Sequence, residues 1–226
     1  MRLKRLASLM PPMMQQELRR WKVWLDFKRG KFAANDPEFH LLPRLVQPGD
    51  WVLDIGANVG YYSMRLSELV GRQGHVFAFE PIGSTVEVLT FIARFARHEN
   101  ITIFNTAASD QTALLRFSIP TNQHGLPDYF CAMTDVNGGH NVFATTVDSL
   151  AFPQRIAYVK IDTEGAENSV LRGMEALIER DHPILSIEGD ESLQPYLALR
   201  GYRMCPRKPG SPNLLFLPSQ FTANLD

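Results

Sequence analysis

Short apolar runs along this chain alternate with stretches whose apolar residues recur at helical spacing. Pro37 to Val46 reads as a short helix, stopped by the Pro48-Gly49-Asp50 turn. A strand over Trp51–Asp54 then runs into the turn Gly56-Ala57-Asn58-Val59-Gly60, and a helix over Tyr61–Val70 follows. Gly71 and Gly74 flank a turn into a second strand, His75–Glu80, which Pro81 ends. Val86, Leu89, Ile92, Ala93 and Ala96 predict a helix from about Ser84 to Arg97, ahead of a third strand at Ile101–Asn105. Residues 106–155 break the rhythm. They hold a strand at Leu114–Ile119, a Gly-, Asn-, Asp- and His-rich tract from Thr121 to Asn141, and a segment Thr145–Leu150. Regularity returns with a strand at Ile156–Asp162, a helix over Glu167–Arg180 and a strand at Ile184–Glu188. Tyr202–Cys205 and Leu214–Leu217 flank a Pro/Gly-rich turn and read as a hairpin. The pattern predicts an α/β domain: a mainly parallel, seven-stranded sheet with helices on both faces and a C-terminal antiparallel hairpin. Ligands of such sheets bind at the carboxyl ends of the strands.

Composition adds little to this picture, but charge adds more. With 226 residues, 45% hydrophobic and 21% charged, the chain matches one ordinary globular domain. A net charge of −1 excludes a global nucleic-acid footprint. Residues 1–32 nevertheless hold nine Lys/Arg against Glu17 and Asp26, which is +7 there and −8 in the remainder. Residues 1–35 are therefore expected to form a basic, aromatic-rich helical arm ahead of a domain spanning 36–226. Within the arm Met14, Leu18, Trp21 and Leu25 share a helical face, with Val23, Trp24 and Phe27 nearby. Such a helix can lie on an anionic membrane, or pack on its own domain or on a second subunit. Cys131 and Cys205 have no metal-type spacing, and no apolar run is long enough for a signal peptide or a transmembrane helix. A cytoplasmic setting is expected, with peripheral contact at the inner membrane surface left open.

Candidate chemistry concentrates where strands end. The turn after the first strand has the spacing D-x-G-x-x-x-G, formed by Asp54, Gly56 and Gly60. A dinucleotide fingerprint places a glycine where Asn58 stands, so a pyrophosphate is disfavoured and a ligand carrying an ammonium suits Asp54 better. The turn resembles the first motif of the class I S-adenosylmethionine (SAM) methyltransferases. Glu80, at the end of the second strand, is placed to accept hydrogen bonds from a ribose diol. Ser109 and Asp110 follow the third strand, where an adenine would lie. Lys160-Ile161-Asp162-Thr163-Glu164-Gly165-Ala166-Glu167 brings three carboxylates to the same edge. Like charges so close need a reason, such as a cation, a shared proton or a hydroxyl to deprotonate. Glu167 has the simpler role of serving the first turn of the next helix. Asp162 and Glu164 are the candidate bases, or anchors for a sugar's hydroxyls, with the loop histidines His140 and His124 as second choices. Asp162, Glu164 and Glu188 could hold Mg²⁺, though nothing in the sequence demands a metal.

Taken together, D-I-G-A-N-V-G-Y-Y-S, F-A-F-E-P, N-T-A-A-S-D, T-T-V-D-S-L, Y-V-K-I-D-T-E-G-A-E-N-S-V-L-R-G and P-I-L-S-I-E resemble the FkbM-type methyltransferases, a class I SAM-dependent family. The similarity runs from about Gly49 to Glu188. It implies a Rossmann-like class I methyltransferase fold, SAM as cofactor, and O-methylation of a hydroxyl on a sugar, glycolipid or polyketide-like metabolite. By position it gives Asp54, Gly56, Asn58 and Gly60 to the SAM turn, Glu80 to the ribose, Ser109 and Asp110 to the adenine, and Asp162 and Glu164 to the catalytic edge. The arm and the 120–141 loop fall outside the motifs and are where acceptor identity is expected to be written. An NAD(P)-dependent oxidoreductase on a similar sheet, and a SAM-binding scaffold without catalysis, are the competing readings. The expected partner is a small-molecule or glycan hydroxyl rather than nucleic acid, and an oligomer is compatible with the sequence.

Overall fold

The computed structural model describes residues 8–221. Helices α1 (Pro12–Lys28) and α2 (Pro37–Leu45) precede β1 (Trp51–Ile55), α3 (Tyr61–Val70), β2 (His75–Phe79), α4 (Gly83–Ala93) and β3 (Ile101–Phe104). Four short strands follow: β4 (Ala107–Ala108), β5 (Ala113–Ser118), β6 (Met133–Thr134) and β7 (His140–Thr145). The chain then forms β8 (Ile156–Ile161), α5 (Glu167–Arg172), α6 (Glu175–Asp181), β9 (Ile184–Glu188), α7 (Gln194–Ala198), β10 (Tyr202–Met204) and β11 (Asn213–Pro218).

The main sheet has seven strands in the order β10-β11-β9-β8-β1-β2-β3. Neighbours from β9 to β3 are parallel, and β11 is antiparallel to both β9 and β10. The expected hairpin is present, but its second strand inserts against β9, which leaves β10 at the edge. The chain builds outward from β1 to β3 and then returns to β8 on the other side of β1. That reversal opens a crevice at the carboxyl ends of β1 and β8, where open α/β sheets bind ligands.

Strand periodicity sorts the core onto two faces. Leu53, Ile55, Phe77, Phe79, Val159, Ile161, Leu185 and Ile187 pack with Val170, Leu171, Met174, Leu177 and Ile178 of α5 and α6. Val52, Val76, Tyr158 and Ile184 point the other way, onto Phe39, Leu42 and Leu45 of α2 and Leu66 and Val70 of α3. Apolar runs without polar alternation therefore read correctly as strands buried on both sides.

Three predicted elements change. The helix expected over Ser84–Arg97 ends at Ala93, where Phe95 and Ala96 donate to Ile92 and Ala93 and tighten the chain into three-residue turns. The helix expected over Glu167–Arg180 breaks into α5 and α6 at Gly173. A Cβ on Gly173 would lie 1.8 Å from the Ser109 carbonyl oxygen, and the Gly173 carbonyl accepts from the Asp148 N–H at 3.0 Å. Close backbone packing thus overrides a continuous helical pattern. Residues 106–155, expected as one strand within a long loop, form a second sheet in the order β4-β7-β5-β6. β7 escapes notice in the sequence because only Val142 and Ala144 face its small core, and its first residues continue the polar tract.

Candidate cofactor and catalytic site

The glycine turn after β1 ties three strand ends together. Gly56 and Ala57 donate to the Phe79 carbonyl of β2 at 3.0 and 2.9 Å, and the Asp162 N–H donates to the Ile55 carbonyl at 2.9 Å. Gly56 has φ +82°, and a Cβ there would stand 1.7 Å from the Asp162 carbonyl oxygen. No side chain fits that approach. Asn58 adopts φ +48° and Gly60 φ +95°, so with Gly56 the backbone turns left-handed three times before α3 begins. Both positions, together with Asp54 and Gly56, belong to the turn singled out in the sequence.

The crevice is a cavity of about 680 Å³, within the usual range for small-molecule sites. Asp54, Gly56, Asn58, Glu80, Ser109, Asp110, Asp162 and Glu164 all line it. Gly60 is one residue before its wall at Tyr61. Asp54 is 1% exposed and accepts from the Ser63 hydroxyl; burial pushes its carboxyl up to about 6 despite that bond and the nearby Lys160. Glu80 accepts the Asn58 and Ile82 N–H groups, each at 2.9 Å, and burial pushes it up to about 7. Buried carboxylates so perturbed mark sites where a ligand supplies the missing partner. The Asn58 side-chain oxygen is buried and finds no hydrogen-bond partner among the described residues, another polar group open to a ligand. Asp110 is less free. Arg172 grips it at 2.8 and 3.1 Å and holds its carboxyl below the usual range.

The second half of the site is acidic. Asp162, Glu164 and Glu188 place one carboxylate oxygen each within 4.8 Å of one another. Buried Lys160 donates to Asp162 Oδ2 at 3.1 Å and to Asn213 Oδ1 at 2.8 Å. Burial alone would raise Asp162, but Lys160 and a hydrogen bond with Glu188 outweigh it and hold that carboxyl low. The same hydrogen bond, followed by burial and the Asp162 charge, pushes Glu188 up to about 8. The Lys160 ammonium thus favours the ionised form of Asp162, while the Asp162 charge favours the protonated form of Glu188. Burial and the neighbouring acids raise Glu164 as well. Glu164 also sits at φ +53°, a conformation uncommon for a residue with a side chain. Glu167 takes the structural role expected of it, accepting from Thr163 and Gly165 ahead of α5.

His140 stands apart from the other candidates. It opens β7, exposed and paired with Phe117, and does not line the cavity. Registration of β7 on β5 fixes it in the small sheet, so its side chain has no part in the acid cluster. His124 also stands outside the lining, in a turn closed by Asn122. Several lining residues escaped sequence reasoning. The sequence offers Glu188 only as a metal ligand and gives Lys160 no role, although a lysine between Val159 and Ile161 in an apolar strand signals a buried charge. Tyr129, Phe130, Ala132 and Thr134 reach the cavity from the irregular region, and Ala33 to Asp36 reach it from the link after α1. Arg19 of α1 donates to Thr85 at 3.2 Å and lies 4.1 Å over the Tyr129 ring.

Residues 54–204 match the family model described as the methyltransferase FkbM domain, which is more than half of the chain. The chain belongs to this family of class I SAM-dependent methyltransferases. The structure of methyltransferase FkbM from Methylobacillus flagellatus superposes with a TM-score of 0.53 at 17% identity, over 86% of this chain and 58% of that one. At that identity the likeness is one of fold. Protein-L-isoaspartate O-methyltransferases of Methanothermobacter thermautotrophicus and Methanothrix thermoacetophila are 27% and 29% identical, over 41% and 37% of this chain. The chain spans 45% and 41% of those relatives, less than half their length.

Proposed function

We propose that this chain transfers a methyl group from SAM to oxygen, the acceptor being a hydroxyl of a sugar, glycolipid or other secondary metabolite. The observation that carries the reading is the direct backbone contact of Gly56 with Asp162, which sets the cofactor turn against the acid cluster in one cavity. Oxygen as acceptor agrees with the names of the curated relatives, both O-methyltransferases. The residues present fit SAM. Asp54 offers a buried carboxylate to its ammonium, Glu80 a carboxylate to its ribose, and Ser109 a buried hydroxyl beside the adenine. When bound, SAM supplies a methyl group activated by its sulfonium.

The chain's own task is to orient the acceptor and take its proton. Asp162, held ionised by Lys160, is the weakest base of the three acids and serves as the hydrogen-bond acceptor that aims the hydroxyl. Glu164 and Glu188 have raised carboxyls and are the stronger bases. Methyl transfer from labelled SAM into hydroxylated glycans and glycolipids tests this. Glu164→Gln with Glu188→Gln should lower turnover by about 10²- to 10⁴-fold while SAM still binds. Unchanged turnover in that double variant would remove both acids from the chemistry. Transfer only to nitrogen or carboxylate acceptors would overturn the assignment of the hydroxyl.

A further inference from the structure

Helix α1 has two unlike faces. One packs on the body, where buried Val23 joins Val59, Val88 and Ile92, and Arg19 reaches Thr85 and Tyr129. On the opposite side Met14, Leu18, Trp21 and Leu25 recur at helical spacing and are 51, 46, 55 and 39% exposed. Leu9 and Met13, at the start of the same segment, are 84 and 79% exposed. The two fates that the arm's sequence leaves open therefore fall on different sides of one helix. Packing accounts for the Val23 face and leaves the Trp21 face without a partner among the described residues. Scattered exposed apolar residues need no explanation, but a continuous stripe does.

Charge selects the occupant. At 100° per residue, Lys22 and Arg29 border the stripe on one side and Lys28 on the other. All three are exposed. Glu17 pairs with Arg20 and Asp26 with Lys22, which leaves Lys28 and Arg29 without an acidic partner within the helix. Residues 1–32 carry +7 on a body of −8, so a symmetric pairing of two copies through α1 would oppose like charges. Trp21 stands edge-on to Trp24 at 5.4 Å, and tryptophan suits the boundary between headgroups and acyl chains. No helix of the described residues is long and apolar enough to cross a membrane. We propose that the Met14-Leu18-Trp21-Leu25 face of α1 docks this protein flat on an anionic lipid surface, its apolar stripe in the interface and its lysines against the headgroups.

The proposal is independent of the methyl acceptor, and its test needs no substrate. The full chain should co-sediment with vesicles containing phosphatidylglycerol, bind less as salt rises, and fail to bind phosphatidylcholine alone. Leu18→Glu with Trp21→Glu, both at exposed positions, should weaken binding by more than about tenfold with helical circular dichroism unchanged. Lys22→Glu and Lys28→Glu should each weaken it by about fivefold or more. Leu199→Glu, at an apolar position 88% exposed on the body, should leave it unchanged. Absence of binding to anionic vesicles overturns the proposal, as does binding that survives the double variant or is equal on phosphatidylcholine. A self-association abolished by the double variant, without vesicle binding, would make a second copy the occupant and overturn it too.

Discussion

Asp54 and Glu80 are buried carboxylates whose partners are a hydroxyl and two backbone N–H groups, without a cation in direct contact. Their folded-state values, about 6 and about 7, lie above the ordinary 3.8 and 4.5. The folded protein therefore holds protons that the unfolded chain releases, and stability falls as pH rises through that window. Ligand-free protein should melt progressively lower from pH near 4 to above about 7, and differential scanning calorimetry reads the slope. SAM, whose ammonium favours ionised Asp54, should oppose the trend, with affinity dropping as pH falls below about 6. Asp54→Asn should then stabilise the ligand-free protein near neutrality, by at most about 3 kcal/mol, while abolishing SAM binding. A site that costs stability until it is filled is expected of preorganised binding groups. Glu188 gives a second pH signature. Its carboxyl is raised by Asp162 and by burial, so turnover should keep rising with pH above the usual carboxylate range, and Glu188→Gln should remove that limb of the profile.

Among the elements, the Gly56 turn after β1 stands directly against the end of β8, and on the proposed reading this joins binding to chemistry. Gly56→Ala would drive a methyl group into the Asp162 carbonyl and should destabilise the fold by about 3 kcal/mol or more, measured by urea unfolding. The turn itself was legible, because Asp54, Gly56 and Gly60 stand at fixed spacing after an apolar run. The strands were legible for a similar reason: β1, β2, β8 and β9 are largely apolar on both faces, and each is bounded by Gly, Pro or Asp on at least one side. The break at Gly173 was not, since it comes from Ser109, distant in sequence and pressed against the backbone. Nor was β7, whose inward positions are only Val142 and Ala144. Glu188 shows the same limit at the site. Its chemistry depends on Asp162 and Lys160 from the neighbouring strand, and strand pairing is not written at any single position. His140 drew notice as a residue type, and its place on β7 carried it out of the site.

For the molecule as a whole, the sheet reversal beside β1 sets one cavity between the cofactor turn, the acids of β8 and β9, and a rim from the irregular region and the link after α1. Arg19 of α1 lies over the Tyr129 ring of that rim, so the helix that carries the exposed stripe touches a residue of the cavity wall. We propose that this cavity is a SAM site whose ribose acid is Glu80. Calorimetric titration of the purified protein with SAM, and separately with NADH, in the wild type and in Glu80→Ala, tests it most directly. Saturable SAM binding that weakens by more than about tenfold in Glu80→Ala, with no heat from NADH, is the predicted result. NADH binding without SAM binding, or SAM binding indifferent to Glu80, would contradict it.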